Sequence, residues 1–245
     1  MEADIKIFDS VDSTNTVLEK MAENGAKEGT GVVAFFQESG QGRSGRSFFS
    51  PGGGNLYMSL LLRPQKTDPI DMITVMAAAA VVVAIERAYG IKTGIKWVND
   101  IIYNDRKVCG ILARAMNAGT DYMYVIVGIG INIYEADDVP DEIKDIYGSL
   151  LGKCTITDDE RKRRALDLAH IIADTFFKYY DGSDTDFMSV YKSESVVIGK
   201  NVSYICGREV LPGTVRNIAD DGAIVIETAE GVKSFRDGEI RIKMS

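Results

Sequence analysis

Hydrophobic and polar positions along the chain predict helices and strands in mixed order. Residues 5–8 predict a short strand, and the capping residues at 12–15 predict a helix that stops at Gly25. Two β-rich runs follow at 31–36 and 55–62, and the polar segment between them has neither helical nor strand periodicity. We therefore expect a strand, a helix and two more strands, with a loop between the last two.

The middle of the chain predicts one apolar helix and a series of strands. The helix begins near Pro69, is apolar nearly all round over 72–85 and stops at Gly90, which is the pattern of a buried central helix. Strands are predicted at 95–97, 101–103, 108–115 and 122–133. Because turn residues separate these strands, we expect an antiparallel meander.

The last third of the chain changes from helical to strand patterning. A long helix is predicted at 159–180, a short helix ends near 195, and short strands follow at 202–205, 213–218, 223–228 and 232–235. Short strands with tight turns are typical of a small barrel. The patterns therefore predict helices and strands in a first domain, 1–194, and a small β-barrel in a second domain, 195–245.

Composition and charge narrow the class of protein. Of 245 residues, 45% are hydrophobic and 26% are charged, as in ordinary globular proteins. The net charge of -8 argues against a surface that neutralises nucleic-acid phosphates. The three cysteines are far apart, the N-terminus lacks the apolar stretch of a signal peptide, and no apolar run reaches the ~18 residues of a membrane span. We expect a cytoplasmic protein that binds neither nucleic acid nor membrane.

The loop at 40–46 is the first candidate for chemistry. It places Arg43 and Arg46 among three glycines, so backbone N–H groups and guanidinium groups can approach phosphate oxygens without Cβ obstruction. The same composition suits a mobile surface loop with two solvated arginines. By itself, the loop leaves both interpretations open.

Two later strands carry the next candidates. Alternation sends Lys107 to one face of its strand and Gly110 to the opposite face, and a lysine in that position is commonly an edge residue that reaches water. Gly128 and Gly130 lie on one side of an apolar strand, which leaves room for a flat ligand against the backbone. The alternative interpretation of these glycines is a bulge needed for sheet curvature.

Five segments in order carry a family resemblance: Asp-Ser-Thr-Asn at 12–15, Gln37 with the loop at 40–46, Lys-Trp-Val-Asn-Asp at 96–100, the strand at 107–112 and Gly-Ile-Gly-Ile-Asn at 128–132. Together they resemble the catalytic domain of biotin protein ligases. The resemblance implies an α+β fold with a mixed or antiparallel sheet flanked by helices, similar to that of class II aminoacyl-tRNA synthetases. The tail at 199–241 is similar to the SH3-like domain of that family. The resemblance implies that biotin and ATP, with Mg²⁺, form biotinyl-5′-AMP, and that biotin is transferred to a lysine of a biotin carboxyl carrier domain, such as that of acetyl-CoA carboxylase.

The resemblance also assigns roles to individual residues. Biotin would be bound by the side chains or backbone of Ser13, Thr14, Gln37, Gly128 and Gly130. The predicted catalytic residues are Arg43 and Lys107, which would neutralise the biotin carboxylate and the α-phosphate, and Asp100, which would organise Mg²⁺ or the loop. Asn99 and Asn132 would face the nucleotide, and Phe48 or Phe49 would cover the adenine. The other predicted ligand contacts are Asn15, Gly40, Gln41, Gly42, Arg46, Lys96, Trp97, Gly110 and Arg236.

The chain departs from the family pattern at three positions. Val98 replaces a proline usual in the Lys-Trp-Pro-Asn-Asp motif, which costs turn rigidity but no contact group. Gln41 and Ser44 stand where arginines are common, so we expect a looser grip on the adenylate. The sole histidine, His170, falls within the last long helix, which leaves Asp100 or water to accept the proton of the acceptor lysine.

Two other functions remain open at this point. A lipoate-type ligase shares the fold and the adenylate chemistry but differs in the loop after the second strand. A non-catalytic biotin-binding protein would lack the phosphate-handling cations, so the presence of Arg43 and Lys107 argues against it. The first predicted strand begins close to Met1, so neither an N-terminal DNA-binding domain nor repressor function is expected. The predicted oligomeric state is monomer or homodimer.

Overall fold

Two sheets and four α-helices make up the part of the chain that this computed structural model describes, residues 3–64, 70–117, 123–206, 209–236 and 238–242. The helices are α1 Thr14–Glu23, α2 Ile70–Tyr89, α3 Asp158–Tyr180 and α4 Phe187–Ser193. The first sheet contains β1 Asp4–Phe8, β2 Thr30–Ala34, β3 Leu56–Leu62, β4 Gly94–Lys96, β5 Asp100–Tyr103, β6 Arg106–Asn117 and β7 Met123–Ile131. The second contains β8 Asn201–Cys206, β9 Glu209–Ile218, β10 Ile224–Thr228, β11 Gly231–Phe235 and β12 Glu239–Ile242.

The first sheet is mixed, with strand order β1-β2-β3-β7-β6-β5-β4. β1 and β2 are parallel and are connected through α1, whereas every other neighbouring pair is antiparallel. The run from β4 to β7 is the antiparallel meander that the turn residues predict. The α+β fold predicted from the sequence is confirmed.

Helices cover both faces of this sheet. α2 and α3 pack against each other and complete the main core, which includes strand residues such as Val33 and Ile129. On the opposite face, α1 packs Leu18 against Leu61 and Ile126 in a smaller cluster. Because side chains alternate along a strand, the even-numbered positions of β7 after Ile126 also face α1. The glycines of β7 therefore lie beside the start of α1.

α2 is the buried central helix that its apolar surface predicts, and it is longer than the 72–85 run that carries the prediction. Its segment Met72–Tyr89 is long and apolar enough to cross a membrane, and 61% of that segment is buried inside the protein. α2 packs against α3, α4 and β6. The core helix of a globular protein has the same length and composition, so this segment is weak evidence for a membrane span.

The second sheet is antiparallel, with strand order β11-β10-β9-β8-β12. Four of its strands overlap the predicted ones, and β12 was not predicted. β12 has only four residues, too few for an alternating pattern to be distinctive. It pairs with β8 next to Gly238, whose φ is +127° and whose missing side chain leaves space for the Tyr204 ring.

Candidate functional site

A buried polar network lies at the start of α1. The backbone N–H and the hydroxyl of Thr14 both donate to Gln37 Oε1, at 2.9 and 3.1 Å, and Gln37 Nε2 donates to Ser50 Oγ at 2.9 Å. Ser59 Oγ, on β3, lies 2.8 Å from Thr14 Oγ1 and 2.7 Å from Asn15 Oδ1. All five residues are buried. Because each side chain is held by a neighbour, the network fixes the directions in which its donors and acceptors point.

Two buried polar atoms, one at the start of α1 and one just after β7, have no hydrogen-bond partner among the residues that the structure describes. They are Ser13 Oγ and Asn132 Oδ1. Ser13 is the N-cap of α1, but its hydroxyl makes no capping bond. Asn132 Nδ2 donates to the Gly148 carbonyl at 3.0 Å, which leaves its own side-chain oxygen free. Since buried polar atoms are normally paired, these two are suited to a ligand, and both belong to predicted ligand-binding residues.

Three glycines on the α1 face of the sheet allow side chains to approach the backbone closely. A Cβ at Gly128 would lie 2.5 Å from Asn15 Oδ1, and a Cβ at Gly130 would lie 2.5 Å from Cε1 of Phe48. Gly110, opposite Gly130 on β6, has Cε2 of Phe48 at 2.9 Å from the same position. Real Cβ atoms do not approach other atoms this closely, so a side chain at any of these positions would push Asn15 or the Phe48 ring out of place. The Phe48 ring covers two of them.

Lys107 lies on the same side of β6 as Gly110, contrary to the prediction from strict alternation. Its Nζ is 3.2 Å from the position of a Cβ on Gly110 and 2.6 Å from Asp100 Oδ1. The pairing of β5 with β6 explains the difference, because Ile101 pairs with Cys109 and the next residue pairs with Lys107. The extra residue is a β-bulge, which reverses the side-chain direction. The bulge therefore brings Lys107 to the glycine-bearing face.

Cys109 faces the core beneath Lys107. Its side chain is fully buried, and this burial raises the pKa of the thiol well above its ordinary value, although the nearby Lys107 ammonium lowers it. The thiol is therefore neutral at physiological pH. A neutral, buried thiol is unreactive, so Cys109 contributes packing rather than nucleophilic chemistry.

Residues 40–46, called here the Gly-Arg loop, contact the residue just before β5 and the interior of β6. Arg43 donates to Asn99 Oδ1 at 3.1 Å, and Asn99 Nδ2 donates to the Ile111 carbonyl at 2.8 Å. A Cβ on Gly40 would lie 2.3 Å from Ser50 Oγ, so this glycine allows the loop to start against the buried network. Arg46 is exposed at the far end of the loop. The loop thus connects the network at α1 with the Asn99-Asp100 segment.

Three predicted ligand contacts, Lys96, Trp97 and Arg236, lie beside the glycine-bearing face of the first sheet or away from it. The indole N–H of Trp97 donates to the Gly222 carbonyl of the second sheet at 3.0 Å, and Trp97 is buried. Lys96 is half-buried on β4, where it pairs with Asp100 across the strands. Arg236 forms an ion pair with Asp221 on the second sheet. The structure therefore brings Trp97 to the junction of the two sheets, where its bond to Gly222 anchors the chain just before Asn99 and Asp100.

Several residues of the site were not found from the sequence. Ser50 and Ser59 complete the buried network, and Thr16 and Arg114 contact the Gly-Arg loop through Gln41. Ser59 had a detectable signal, because it is a small polar side chain in a seven-residue apolar strand that is buried throughout. Arg114 had none, since it is an exposed residue that meets Gln41 from 73 positions away.

The mixed sheet, its two helical layers and this site define a member of a known ligase class. The pattern of the Biotin/lipoate A/B protein ligase family matches residues 7–132. The chain belongs to this family.

Individual relatives agree with the family match. The chain is 37% identical over 242 residues to the bifunctional ligase/repressor BirA of Bacillus subtilis, an alignment that covers 96% of this chain and 72% of BirA. It is 38% identical over 130 residues to the biotin–[acetyl-CoA-carboxylase] ligase of Paracoccus denitrificans, covering 52% of this chain and 53% of that protein. The biotin protein ligase of Aquifex aeolicus, solved with biotin and ATP, superposes with a TM-score of 0.80 at 28% identity and covers 99% of both chains.

Proposed function

We propose that this chain is a biotin protein ligase that forms biotinyl-5′-AMP from biotin and ATP and transfers the biotin to a lysine of a carrier domain. The observation that carries the proposal is the meeting of two kinds of group on one sheet face. A buried network of neutral donors and acceptors at Thr14 and Gln37 lies on one side of the glycines, and the cations Arg43 and Lys107 lie on the other. Such a face suits a ligand with a polar ring at one end and a carboxylate at the other.

We assign the neutral network to the biotin ring. The ureido group of biotin has two N–H donors and one carbonyl acceptor, so it needs acceptors and donors in fixed directions. Ser13 Oγ has no partner among the described residues, and Thr14 and Gln37 are held in place by each other. Gly128 and Gly130 allow a thin group to lie against β7. A ligand in this position would displace the Phe48 ring from Gly130.

We assign the cations to the first chemical step. A carboxylate oxygen of biotin attacks the α-phosphorus of ATP, a new P–O bond forms, and the bond from the α-phosphorus to the bridging oxygen breaks to release pyrophosphate. Both reactants are anionic, so positive charge must stabilise the transition state. Arg43 and Lys107 supply that charge. Lys107 is held by Asp100 and Arg43 by Asn99, so each cation exchanges a protein acceptor for a substrate oxygen.

We assign the nucleotide to the region between the Gly-Arg loop and Asn132. The free side-chain oxygen of Asn132 can accept a hydrogen bond from an exocyclic amine, such as that of adenine. Phe48 is the aromatic residue nearest to the glycines and can stack on a base. We propose the same general location for the remaining predicted contacts from Gly40 to Arg46.

Magnesium fits this site through Asp100. The described residues contain no cluster of three or more potential metal ligands among His, Cys, Asp and Glu. Mg²⁺ commonly binds nucleotides through one or two carboxylates together with phosphates and water, so a single aspartate is sufficient. When bound, Mg²⁺ would neutralise phosphate charge. Asp100, 23% exposed and next to Lys107, is the candidate ligand.

The second step transfers the acyl group. The amine of the acceptor lysine attacks the carbonyl carbon of the adenylate, an amide bond forms, and AMP leaves with the electrons of the anhydride bond. The ammonium form of that lysine must first lose a proton. His170 is exposed on α3 and outside the site, so we propose Asp100 or water as the acceptor of this proton.

The remaining parts of the proposal concern organisation and partners. We place the domain boundary between 194 and 195, just after α4, with the SH3-like domain in the second sheet. The proposed acceptor is the biotin carrier of acetyl-CoA carboxylase or of a related carboxylase, because relatives are named as ligases for that enzyme. We further propose a cytoplasmic monomer or homodimer that binds neither nucleic acid nor membrane.

Intact mass measurement tests this function directly. The protein is incubated with ATP, Mg²⁺, a biotin carrier domain and either biotin or lipoate. We expect a biotinyl mass increase on the carrier, none with lipoate, and none on a carrier whose acceptor lysine is replaced by arginine. A lipoyl increase without a biotinyl one would reassign the chain to the lipoate branch of its family. No increase with either acid, despite a folded enzyme, would favour a non-catalytic binding protein.

A further inference from the structure

Gln41 connects the Gly-Arg loop to two other elements of the site. Its Oε1 accepts a hydrogen bond from Arg114 NH1 on β6 at 2.9 Å, and its Nε2 donates to Thr16 Oγ1 on α1 at 3.2 Å. The amide group uses both of its ends, since a carboxamide is at once a donor and an acceptor. An arginine or lysine at this position could not accept a bond from Arg114.

The two partners of Gln41 frame the glycine-bearing face. Thr16 lies on α1 two residues after Thr14, which belongs to the buried network. Arg114 lies on β6 opposite Ile126, so alternation places it on the same face as Gly110. The contact therefore reaches across the site from the helix to the strand. The contact of Gln41 with Thr16 and Arg114 covers the end of the glycine-bearing face that is farther from Lys107.

Backbone hydrogen bonds make the Gly-Arg loop a compact unit. The N–H of Gly42 donates to the Arg46 carbonyl at 2.7 Å, and the N–H of Phe48 donates to the Gly40 carbonyl at 2.8 Å. A tether at Gln41 therefore restrains Arg43 as well, although Arg43 makes its own bond to Asn99. Holding a cation in position before substrates bind reduces the ordering that binding has to supply.

We propose that Gln41, Arg114 and Thr16 form a latch that holds the Gly-Arg loop over the sheet and slows the loss of the acyl-adenylate. This inference rests on the proposed function for its second half. Gln41 is a positioning residue, since it acts through Arg43. The neutral side chain of Gln41 is expected to bind the adenylate less tightly than an arginine would, and its contact with Arg114 offsets this loss. A guanidinium group at position 41 would instead face that of Arg114 and would repel it.

Hydrogen exchange of the ligand-free enzyme tests the latch without any need for activity. The measured quantity is deuterium uptake in a peptide that covers 41–48. Arg114→Ala removes one partner, and Gln41→Arg sets like charges against each other. We expect each to increase the exchange rate about tenfold, because the lost bond involves a charged donor. The double variant Gln41→Arg/Arg114→Glu restores a donor and an acceptor, so its exchange should return close to that of the wild type.

A control arginine separates the latch from general effects of charge removal. Arg163 is an exposed arginine of α3 that is paired with Glu160 and Asp167, away from the loop. Arg163→Ala should leave exchange in 41–48 unchanged. Wild-type exchange in Arg114→Ala, or a double variant as fast as Gln41→Arg alone, would overturn the latch.

Retention of the adenylate tests the functional half. Enzyme loaded with biotin and ATP is passed through a desalting column, and the bound biotinyl-5′-AMP is followed with time. We expect a half-life about tenfold shorter in Arg114→Ala than in wild type, with an unchanged melting temperature because Arg114 is exposed. Equal half-lives with altered exchange would refute the functional half. Failure of the wild type to form any adenylate would refute the proposed function, and the exchange result would still decide whether the latch exists.

Discussion

The two sides of the candidate site are held together in different ways. The ring side, formed by Thr14, Asn15, Gln37, Ser50 and Ser59, is neutral, buried and interlinked by hydrogen bonds. The phosphate side, formed by Arg43, Asn99, Asp100 and Lys107, is charged and partly exposed. Its central ion pair is 30% exposed at Lys107 and 23% exposed at Asp100.

Desolvation explains this difference. Neutral groups can be buried in advance if they bond to each other, and a ligand then exchanges one set of hydrogen bonds for another at little cost. Burying an unpaired cation costs roughly several kcal/mol. A cationic site must therefore keep a counterion or water beside the cation until the substrate arrives. Asp100 serves Lys107 in this way. The ring side is therefore expected to determine which acid binds, and the phosphate side to determine how fast it reacts.

Loss of the Lys107 charge should produce the largest effect. We expect Lys107→Ala to reduce the rate of biotin-dependent pyrophosphate exchange by about 10²–10³-fold, the usual effect of removing one group that stabilises transition-state charge. The biotin KM should change much less. The matched control is Lys153→Ala, which breaks a lysine–aspartate pair of 2.9 Å that is 70% exposed at Lys153. Equal loss in both variants, or wild-type exchange in Lys107→Ala, would show that the phosphate side does not control rate.

Loss of one hydroxyl from the ring side should have a smaller and different effect. Thr14→Val keeps the shape and the backbone bond to Gln37 but removes the hydroxyl's bonds to Gln37 and Ser59. We expect the biotin KM to rise about tenfold with little change for ATP, and the protein to lose ~1–3 kcal/mol of stability. Thr93→Val is the control, since Thr93 Oγ1 is buried without a partner in the described structure and its loss should not destabilise. A change in the ATP KM that matches the change for biotin would remove the distinction between the two sides.

On the ring side, the family resemblance pointed to Thr14, Asn15 and Gln37 but not to Ser50 and Ser59. On the phosphate side, it pointed to all four residues, but the face on which Lys107 lies was predicted incorrectly. Thr14 and Gln37 lie at a helix start and at a strand end, positions that local patterns locate well. Lys107 was assigned to the wrong face, because a bulge in β6 inserts one extra residue before Gly110. A bulge has no signal in the period of the strand, since the residues that form it are apolar like their neighbours.

Contacts between distant segments account for what else was missed. Arg114 reaches Gln41 only because β6 passes beneath the Gly-Arg loop, and Trp97 meets Gly222 only because the second sheet packs beside β4. Neither contact follows from local residue patterns, which determine elements rather than their packing. The buried helix α2 shows the opposite case, since its uniformly apolar surface was enough to place it in the core.

Ion pairs outside the site affect the stability of the fold rather than catalysis. Glu160, at the start of α3, accepts hydrogen bonds from Arg163 and Arg164, which lower the pKa of its carboxyl group from 4.5 to about 2. Because the folded pKa is depressed, the stabilisation is present above the unfolded pKa and is lost as the pH falls from 4.5 towards 2.

Glu160→Gln should therefore melt slightly below wild type at pH 7, and the difference should shrink as the pH falls through this range. Melting curves across pH give the comparison, and Asp167→Asn, which removes a single arginine contact on the same helix, is the matched control. A difference between Glu160→Gln and wild type that does not change with pH would contradict the charge-based explanation. Pyrophosphate exchange should be unaffected in both variants, in contrast to Lys107→Ala.

The smallest expected effect is an absence of reaction at Cys109, which lies under the phosphate side. Burial raises the pKa of its thiol and also blocks access, so iodoacetamide at pH 8 should leave Cys109 unmodified while it labels the half-buried Cys154. Peptide mass spectrometry of the native protein measures both sites. Labelling of Cys109 at the rate of Cys154 would show that β6 separates from the core, and the phosphate side would then not rest on a fixed sheet.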